Sequence, residues 1–253
     1  MPDKLLLWRA LAVLGCSLAV ASSPTLVFQP FTSPLAVCND GSPAGLYFAA
    51  ATSDQQKDVW IVQQQGGGWC WDATSCQKRL EKGGSLVSSK GWASSLSPKA
   101  GSILAATGTD FEFANKAYLK YCTSDGYIGN TTAYASEFRG REVVLAMLDR
   151  LVEKGLGASG DSTLVYSGCS AGGRGVMHNL NYVSILTAGL GVTRLVGLID
   201  SGLYLDIEPV GRLTSWFSCY FHSIFSCQCK WIQTTRSFQS QRCRRCECRP
   251  KAW

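Results

Sequence analysis

The sequence predicts an α/β fold organised on a mostly parallel sheet. Strand and helix signals alternate from Asp58 to Ile199. The strands among them are near-continuous apolar runs, the pattern of strands covered on both faces. The stretch LVYSGCSAGGRGVMHNL, Leu164 to Leu180, reads as a strand, a tight turn and a helix in direct succession.

The elements follow in order. Residues 1–21 read as a signal peptide: Lys4 and Arg9 give the positive flank, Ala10 to Val20 the apolar run and Ala19-Val20-Ala21 the small-x-small cleavage pattern, so the mature chain starts at Ser22. Residues 34–57 are turn-rich around Asn39-Asp40-Gly41-Ser42-Pro43. Asp58 to Gln64 is a strand that Gly66-Gly67-Gly68 ends, Cys76 to Ser89 a short helix and loop, and Lys116 to Tyr121 another strand. Ser136 to Lys154 spaces Phe138, Val143, Val144, Met147, Leu148 and Leu151 as an amphipathic helix, which Gly155 and Gly157 stop. Ser162 to Tyr166 is a strand, Gly172 to Gly189 a helix, and Val192 to Ile199 a strand that runs into Asp200-Ser201-Gly202.

Residues 22–211 therefore read as one domain. Near Gly211 the sequence changes style. Residues 212–253 have no Asp, no clear period, and a density of Cys, Arg and Ser, so they read as a tail outside the fold. An altered reading frame, retained intron or misjoined exon accounts for that composition. A cysteine-rich appendage is the alternative, as is a zinc site through Cys227, Cys229, Cys243, Cys246 and Cys248, whose spacing fits only in part. The formal net charge of +6 belongs to this tail, which carries +7 against −1 for residues 1–211. A nearly neutral body argues against a nucleic-acid partner. No internal run of about 20 apolar residues is present, so no stable membrane span is expected after signal cleavage.

Secretion makes disulfides the default reading of Cys38, Cys70, Cys76, Cys122 and Cys169, with connectivity left open by sequence. Asn130-Thr131-Thr132 is an N-glycosylation sequon at a surface turn, with Asn130 the acceptor if it is used.

The strand–Gly168-Cys169-Ser170-Ala171-Gly172–helix unit has the form of a nucleophile elbow. The tight turn lifts Ser170 to the top of the sheet, the small flanking residues let backbones approach, and the N–H of Ala171 is a natural oxyanion donor. A second glycine turn, Gln65-Gly66-Gly67-Gly68-Trp69, also follows a strand and offers further backbone donors. The base is harder to find. The chain has two histidines. His178 lies eight residues beyond Ser170, about 12 Å along the same helix and out of reach. His222 sits in the tail. For the acid, Asp200 and Asp206 are available, Asp200 reading better as a loop-capping carboxylate.

These residues resemble the pectin acetylesterase/Notum family of carboxylesterases. The resemblance rests on Cys38-Asn39-Asp40-Gly41-Ser42-Pro43-Ala44-Gly45, Gly67-Gly68-Trp69-Cys70, Tyr121-Cys122-Thr123-Ser124-Asp125-Gly126, Gly168-Cys169-Ser170-Ala171-Gly172-Gly173 and Asp200-Ser201-Gly202, in that order. It implies an α/β-hydrolase-like three-layer sandwich with the C-terminal part of the fold missing. It also implies Ser170 as nucleophile, an oxyanion hole of Gly68, Trp69 and Ala171, and bridges Cys38–Cys122 and Cys70–Cys76 with Cys169 unpaired. Asp200 matches an aspartate that is not the family's triad acid, and the triad Asp and His belong further downstream. The resemblance further implies a secreted or cell-wall esterase needing no metal or cofactor, acting on an acetylated polysaccharide or an acylated protein. A truncated, inactive relative is the other outcome.

Overall fold

The computed structural model describes residues 25–105 and 107–202. The signal segment 1–21, Asp206, His222 and the 212–253 tail with its cysteines lie outside the described residues. In chain order the elements are β1 (Leu26–Pro30), β2 (Gly45–Ala49), β3 (Val59–Gln64), α1 (Ala73–Lys82), β4 (Ser95–Leu96), β5 (Asn115–Leu119), β6 (Thr131–Ala133), β7 (Ser136–Phe138), α2 (Gly140–Glu153), β8 (Ser162–Cys169), α3 (Ala171–Thr187) and β9 (Val192–Asp200).

Seven strands form one mixed sheet in the order β4-β1-β2-β5-β3-β8-β9. The pairings β5–β3, β3–β8 and β8–β9 are parallel, and β4–β1, β1–β2 and β2–β5 antiparallel. Five of the seven strands thus point the same way, as an α/β-hydrolase-like sheet requires. β8 is flanked on both sides, which explains its unbroken apolar run: Leu164, Val165 and Tyr166 are all buried.

The two faces are covered differently. Trp60, Val62, Leu119, Leu164 and Tyr166 pack on one face against Val143, Met147 and Leu151 of α2 and Val176 and Val183 of α3. On the other, Tyr47, Ile61 and Val165 meet Leu104, Ala114 and Phe111 from the segment between β4 and β5. That segment is tied down by Lys116, whose buried ammonium donates to the carbonyls of Ala105 (2.7 Å) and Glu112 (2.9 Å).

Three sequence expectations need correction. The turn-rich stretch 34–57 contains β2, whose GLYFA run is almost wholly buried. α1 starts at Ala73 rather than Cys76, because Asp72 caps it: the Asp72 carboxylate accepts from the Ser75 N–H and Ser75 Oγ accepts from the Asp72 N–H. The helix expected from Ser136 begins only at Gly140. Ser136 to Phe138 is instead a strand, with Ser136 and Phe138 buried and Glu137 between them, paired to β6 through a turn in which Tyr134 and Ala135 both have positive φ.

Candidate active site

Ser170 sits where β8 ends and α3 begins, at φ +53° and ψ −118°. A residue with a Cβ rarely adopts a positive φ, and holding it there costs on the order of 1–3 kcal/mol. Neighbouring backbone over-determines the conformation. The Ser170 N–H donates to the carbonyl of Asp200 (2.9 Å), and its carbonyl accepts from the Arg174 N–H (3.0 Å). The glycines on either side permit the crowding: a Cβ on Gly168 would stand 2.3 Å from the backbone of Gly172, and one on Gly172 would stand 2.2 Å from the carbonyl oxygen of Gln64. Strand, turn and helix therefore close on each other as a single packed unit.

The second glycine turn lies against the first. A Cβ on Gly66 would be 2.5 Å from the Cys169 carbonyl oxygen and 3.1 Å from Ser170 Cβ. Hydrogen bonds anchor this turn at both ends. Gln65 donates its N–H to Leu119 (3.0 Å) and accepts at its own carbonyl from the Tyr127 hydroxyl (2.9 Å), while its side-chain oxygen accepts from the Tyr121 N–H (3.1 Å). Five residues on, the Cys70 N–H donates to the Ser124 carbonyl (3.0 Å), and Cys70 is bridged to Cys76 in α1. Between these anchors lie Gly68, at φ +68°, and Trp69. The Trp69 ring lies 4.5 Å from the guanidinium of Arg174, a buried residue one turn into α3 from Ser170. Ala171, also buried, is the first residue of α3, so its N–H is one of those with no acceptor inside the helix.

The segment Tyr121 to Tyr127 supports the glycine turn from behind. Cys122 is bridged to Cys38. The Asp125 carboxylate accepts from Thr123 Oγ1 (2.7 Å), the Tyr127 N–H (2.9 Å) and the Gly140 N–H (2.7 Å). It thereby caps α2, whose own N-cap Arg139 supplies no side-chain bond. The residue as a whole is half-buried, but its carboxyl end is enclosed. Desolvation pushes the pKa up to about 6, against the downward pull of Thr123, Gly140 and Tyr127.

The remaining candidates fall away from the reacting position or play other parts. Cys169 is the free cysteine among the described residues, half-buried beside Ser170. Burial raises its thiol pKa, and the neighbouring Asp200 raises it further, so the group stays a thiol at neutral pH and is a poor competing nucleophile. Asp200 holds Ser170 through its carbonyl, while its carboxylate accepts from Ser201 Oγ (2.9 Å). His178 lies exposed on α3, two turns beyond Ser170. Asn130 is exposed, its side chain bonded to Glu142 and Arg139. Among the described residues no group of three His, Cys, Asp or Glu side chains is placed to hold a metal, and no helix is long and apolar enough to cross a membrane. Sequence reasoning did not single out Arg174 and Asp125 as supports. The spacing of four from Ser170 was the available signal for Arg174, and nothing local marked the reach of Asp125 to α2.

A parallel strand that ends in a strained serine turn, with a helix after it and a glycine turn against it, defines this chain as α/β-hydrolase-like. The class narrows further on comparison. The family model for pectinacetylesterase matches residues 19–249, and the chain belongs to that family. It is 33% identical over 185 residues to the palmitoleoyl-protein carboxylesterase NOTUM of Mus musculus, covering 69% of this chain and 35% of that protein. It is 32% identical over 224 residues to pectin acetylesterase 7 of Arabidopsis thaliana, covering 83% of this chain and 54% of the relative. The crystal structure of the Wnt deacylase Notum from Drosophila superposes with a TM-score of 0.68 at 31% identity, over 76% of this chain and 55% of that one. The chain thus spans between about a third and just over half of these relatives.

Proposed function

We propose that this chain is a secreted serine-type carboxylic-ester hydrolase that removes acetyl groups from a polysaccharide such as pectin. The observation that carries the chemistry is Ser170 at φ +53° between β8 and α3, with the Gly66–Trp69 turn against it. Ser170 Oγ attacks the ester carbonyl carbon, and the carbonyl oxygen becomes an oxyanion held by the N–H groups of Gly68, Trp69 and Ala171. The carbon–oxygen bond to the sugar then breaks, the alcohol leaves with a proton, and water hydrolyses the acyl-serine to acetate. A histidine takes the serine proton and delivers it to the leaving alcohol in this chemistry. His178 is too far along α3 to do so, and His222 lies outside the described residues. Without a base, positioning and an oxyanion hole alone leave a rate roughly 10³–10⁴ above water.

The polysaccharide reading draws support from the Arabidopsis pectin acetylesterase, which is matched over a larger share of both chains than the mouse palmitoleoyl-protein carboxylesterase. The identity to the latter supports the second reading, removal of a fatty acyl group from a protein. The two disulfides are compatible with an oxidising, extracellular setting. The test is hydrolysis of p-nitrophenyl acetate and of long-chain p-nitrophenyl esters by the secreted chain and by Ser170→Ala. Where a base such as His222 is supplied, a loss of about 10³-fold or more on acetate in the variant is expected. Equal rates would overturn the enzymatic reading, and a strong long-chain preference would transfer it to the acylated-protein substrate.

A further inference from the structure

We propose that Arg174 is a positioning residue whose guanidinium ties the turn at Trp69 to the helix that carries Ser170. This rests on the reading of Gly68, Trp69 and Ala171 as oxyanion donors. Those donors come from two segments far apart in sequence, the turn after β3 and the start of α3. Their N–H groups act on one oxygen only while the two segments keep a fixed mutual placement, and a misplacement of about 1 Å is enough to cost such a site about 10²-fold.

Gly66, Gly67 and Gly68 give the turn no side chain by which to hold it, and Trp69 is the first residue that does. The Trp69 ring meets Arg174, with 4.5 Å between the guanidinium carbon and the ring centroid. Arg174 is 5% exposed, and its own N–H donates to the Ser170 carbonyl (3.0 Å). One residue therefore grips both the backbone of Ser170 and the ring beside the donors of the turn. Every group in this contact lies within the described residues, and a cation over an aromatic face is attracted most strongly where both are withdrawn from water.

The Tyr121 to Tyr127 segment makes room for the guanidinium. Gly126 has φ +66°, and a Cβ there would stand 2.8 Å from Arg174 Nη1 and 3.5 Å from its Cδ. The Gly126 N–H donates to the Tyr121 hydroxyl (2.7 Å), which keeps that backbone in place. The charge of Arg174 reaches the same hydroxyl: burial raises the Tyr121 pKa, and Arg79 and Arg174 oppose the rise. Arg79 also supports the turn, with Nε donating to Ser124 Oγ (2.7 Å), but it belongs to α1 and does not join the turn to the helix of Ser170. A full positive charge one turn into α3 adds to the positive end of that helix, where negative charge develops in the reaction.

Hydrogen exchange of the full chain, read over residues 66–70, tests this. Arg174→Met keeps a long stem and loses the charge and the plane, so exchange there should rise about tenfold. Arg174→Lys keeps the charge and loses the planar stack, so a smaller rise, about threefold, is expected. Arg174→Met/Trp69→Leu should exchange no faster than Trp69→Leu alone, since the contact is already gone. Circular dichroism checks that each variant is folded, and should Arg174→Met fail that check, Arg174→Lys decides. An unchanged rate in either folded variant overturns the proposal, as does an additive rise in the double variant. So does an equal rise over residues 162–166 of β8, which marks general loosening. Ester hydrolysis separates this from the reading beneath it. Where the chain hydrolyses p-nitrophenyl acetate faster than Ser170→Ala does, Arg174→Met should lower kcat about tenfold with KM held within about twofold, and a change in KM alone overturns the proposal. Where it is no faster, the serine reading fails, and exchange alone decides whether Arg174 holds the turn.

Discussion

Losing the Cys38–Cys122 bridge should cost more stability than losing Cys70–Cys76, while the shorter bridge should matter more to the turn beside Ser170. The long bridge spans 84 residues and the short one 6. Loop-closure entropy in the unfolded chain scales with the logarithm of those lengths, giving about 4–5 kcal/mol for the first and about 2 kcal/mol for the second at 25 °C. Local bonds trim the larger figure. The Asn39 amide donates to the carbonyls of Thr123 and Glu137, and Ser124 Oγ donates to Asn39, so the two segments stay fastened without the sulfurs. Cys70 is different. It stands two residues past Gly68, and its N–H bond to Ser124 is the nearest backbone anchor on that side. Urea unfolding of Cys38→Ala/Cys122→Ala and Cys70→Ala/Cys76→Ala, with amide exchange read over residues 66–70, separates the two effects. The first variant should lose more stability, and the second should show the faster exchange. Equal or inverted stability losses would refute the entropy reasoning, and unchanged exchange on loss of Cys70–Cys76 would refute the anchoring role.

Two further outcomes follow from crowding and burial. Gly172→Ala places a Cβ against the Gln64 carbonyl and should destabilise the chain by about 1–3 kcal/mol, because backbone cannot swing aside as a side chain can; thermal unfolding with no loss would show that β3 and α3 have slack. Asp125 has a raised pKa of about 6 in the folded chain, so its stabilising contribution is full below its unfolded value near 4 and declines as pH rises through 6. Urea melts from pH 4 to 7 should show the unmodified chain losing on the order of 2–3 kcal/mol relative to Asp125→Asn, and a gain over that window would mean that the three donors outweigh desolvation.

Sequence could be read where the signal was local. β3, β8, α3 and β9 were legible because each carries an apolar run bounded by glycine, and the serine turn because its pentapeptide sits between two of them. β7 was not, since the Phe138 that fits a helical stripe equally fits alternation with Ser136, and the turn before it uses Tyr134 and Ala135 where Asn or Gly would have announced positive φ. β2 was hidden for another reason: it borders a loop rich in turn residues, and only its antiparallel partners on both sides make it a central strand. Contacts across the chain were illegible in principle. Asp125 meets Gly140 fifteen residues on, and Tyr127 meets Gln65 sixty-two residues back, distances at which no period or cap carries information.

The same distinction runs through the site. An oxyanion hole of backbone N–H groups depends on turn geometry, and turn geometry is written in a few adjacent glycines. A general base is a side chain brought in from elsewhere, so its place depends on long-range packing and leaves no mark near the serine. Positioning and activation are thus separable demands on the chain. Among the described residues the backbone of Ser170 is held from several sides: its strained φ is fixed by Asp200 from β9, by Arg174 from α3 and by the steric closure of Gly168, Gly172 and Gly66. A conformation costing on the order of 1–3 kcal/mol and held from three directions supports the proposal that Ser170 is the reacting hydroxyl. The proposal for Ser170 stands without reference to the base, and it makes Ser170→Ala the comparison on which every activity measurement for this chain must rest.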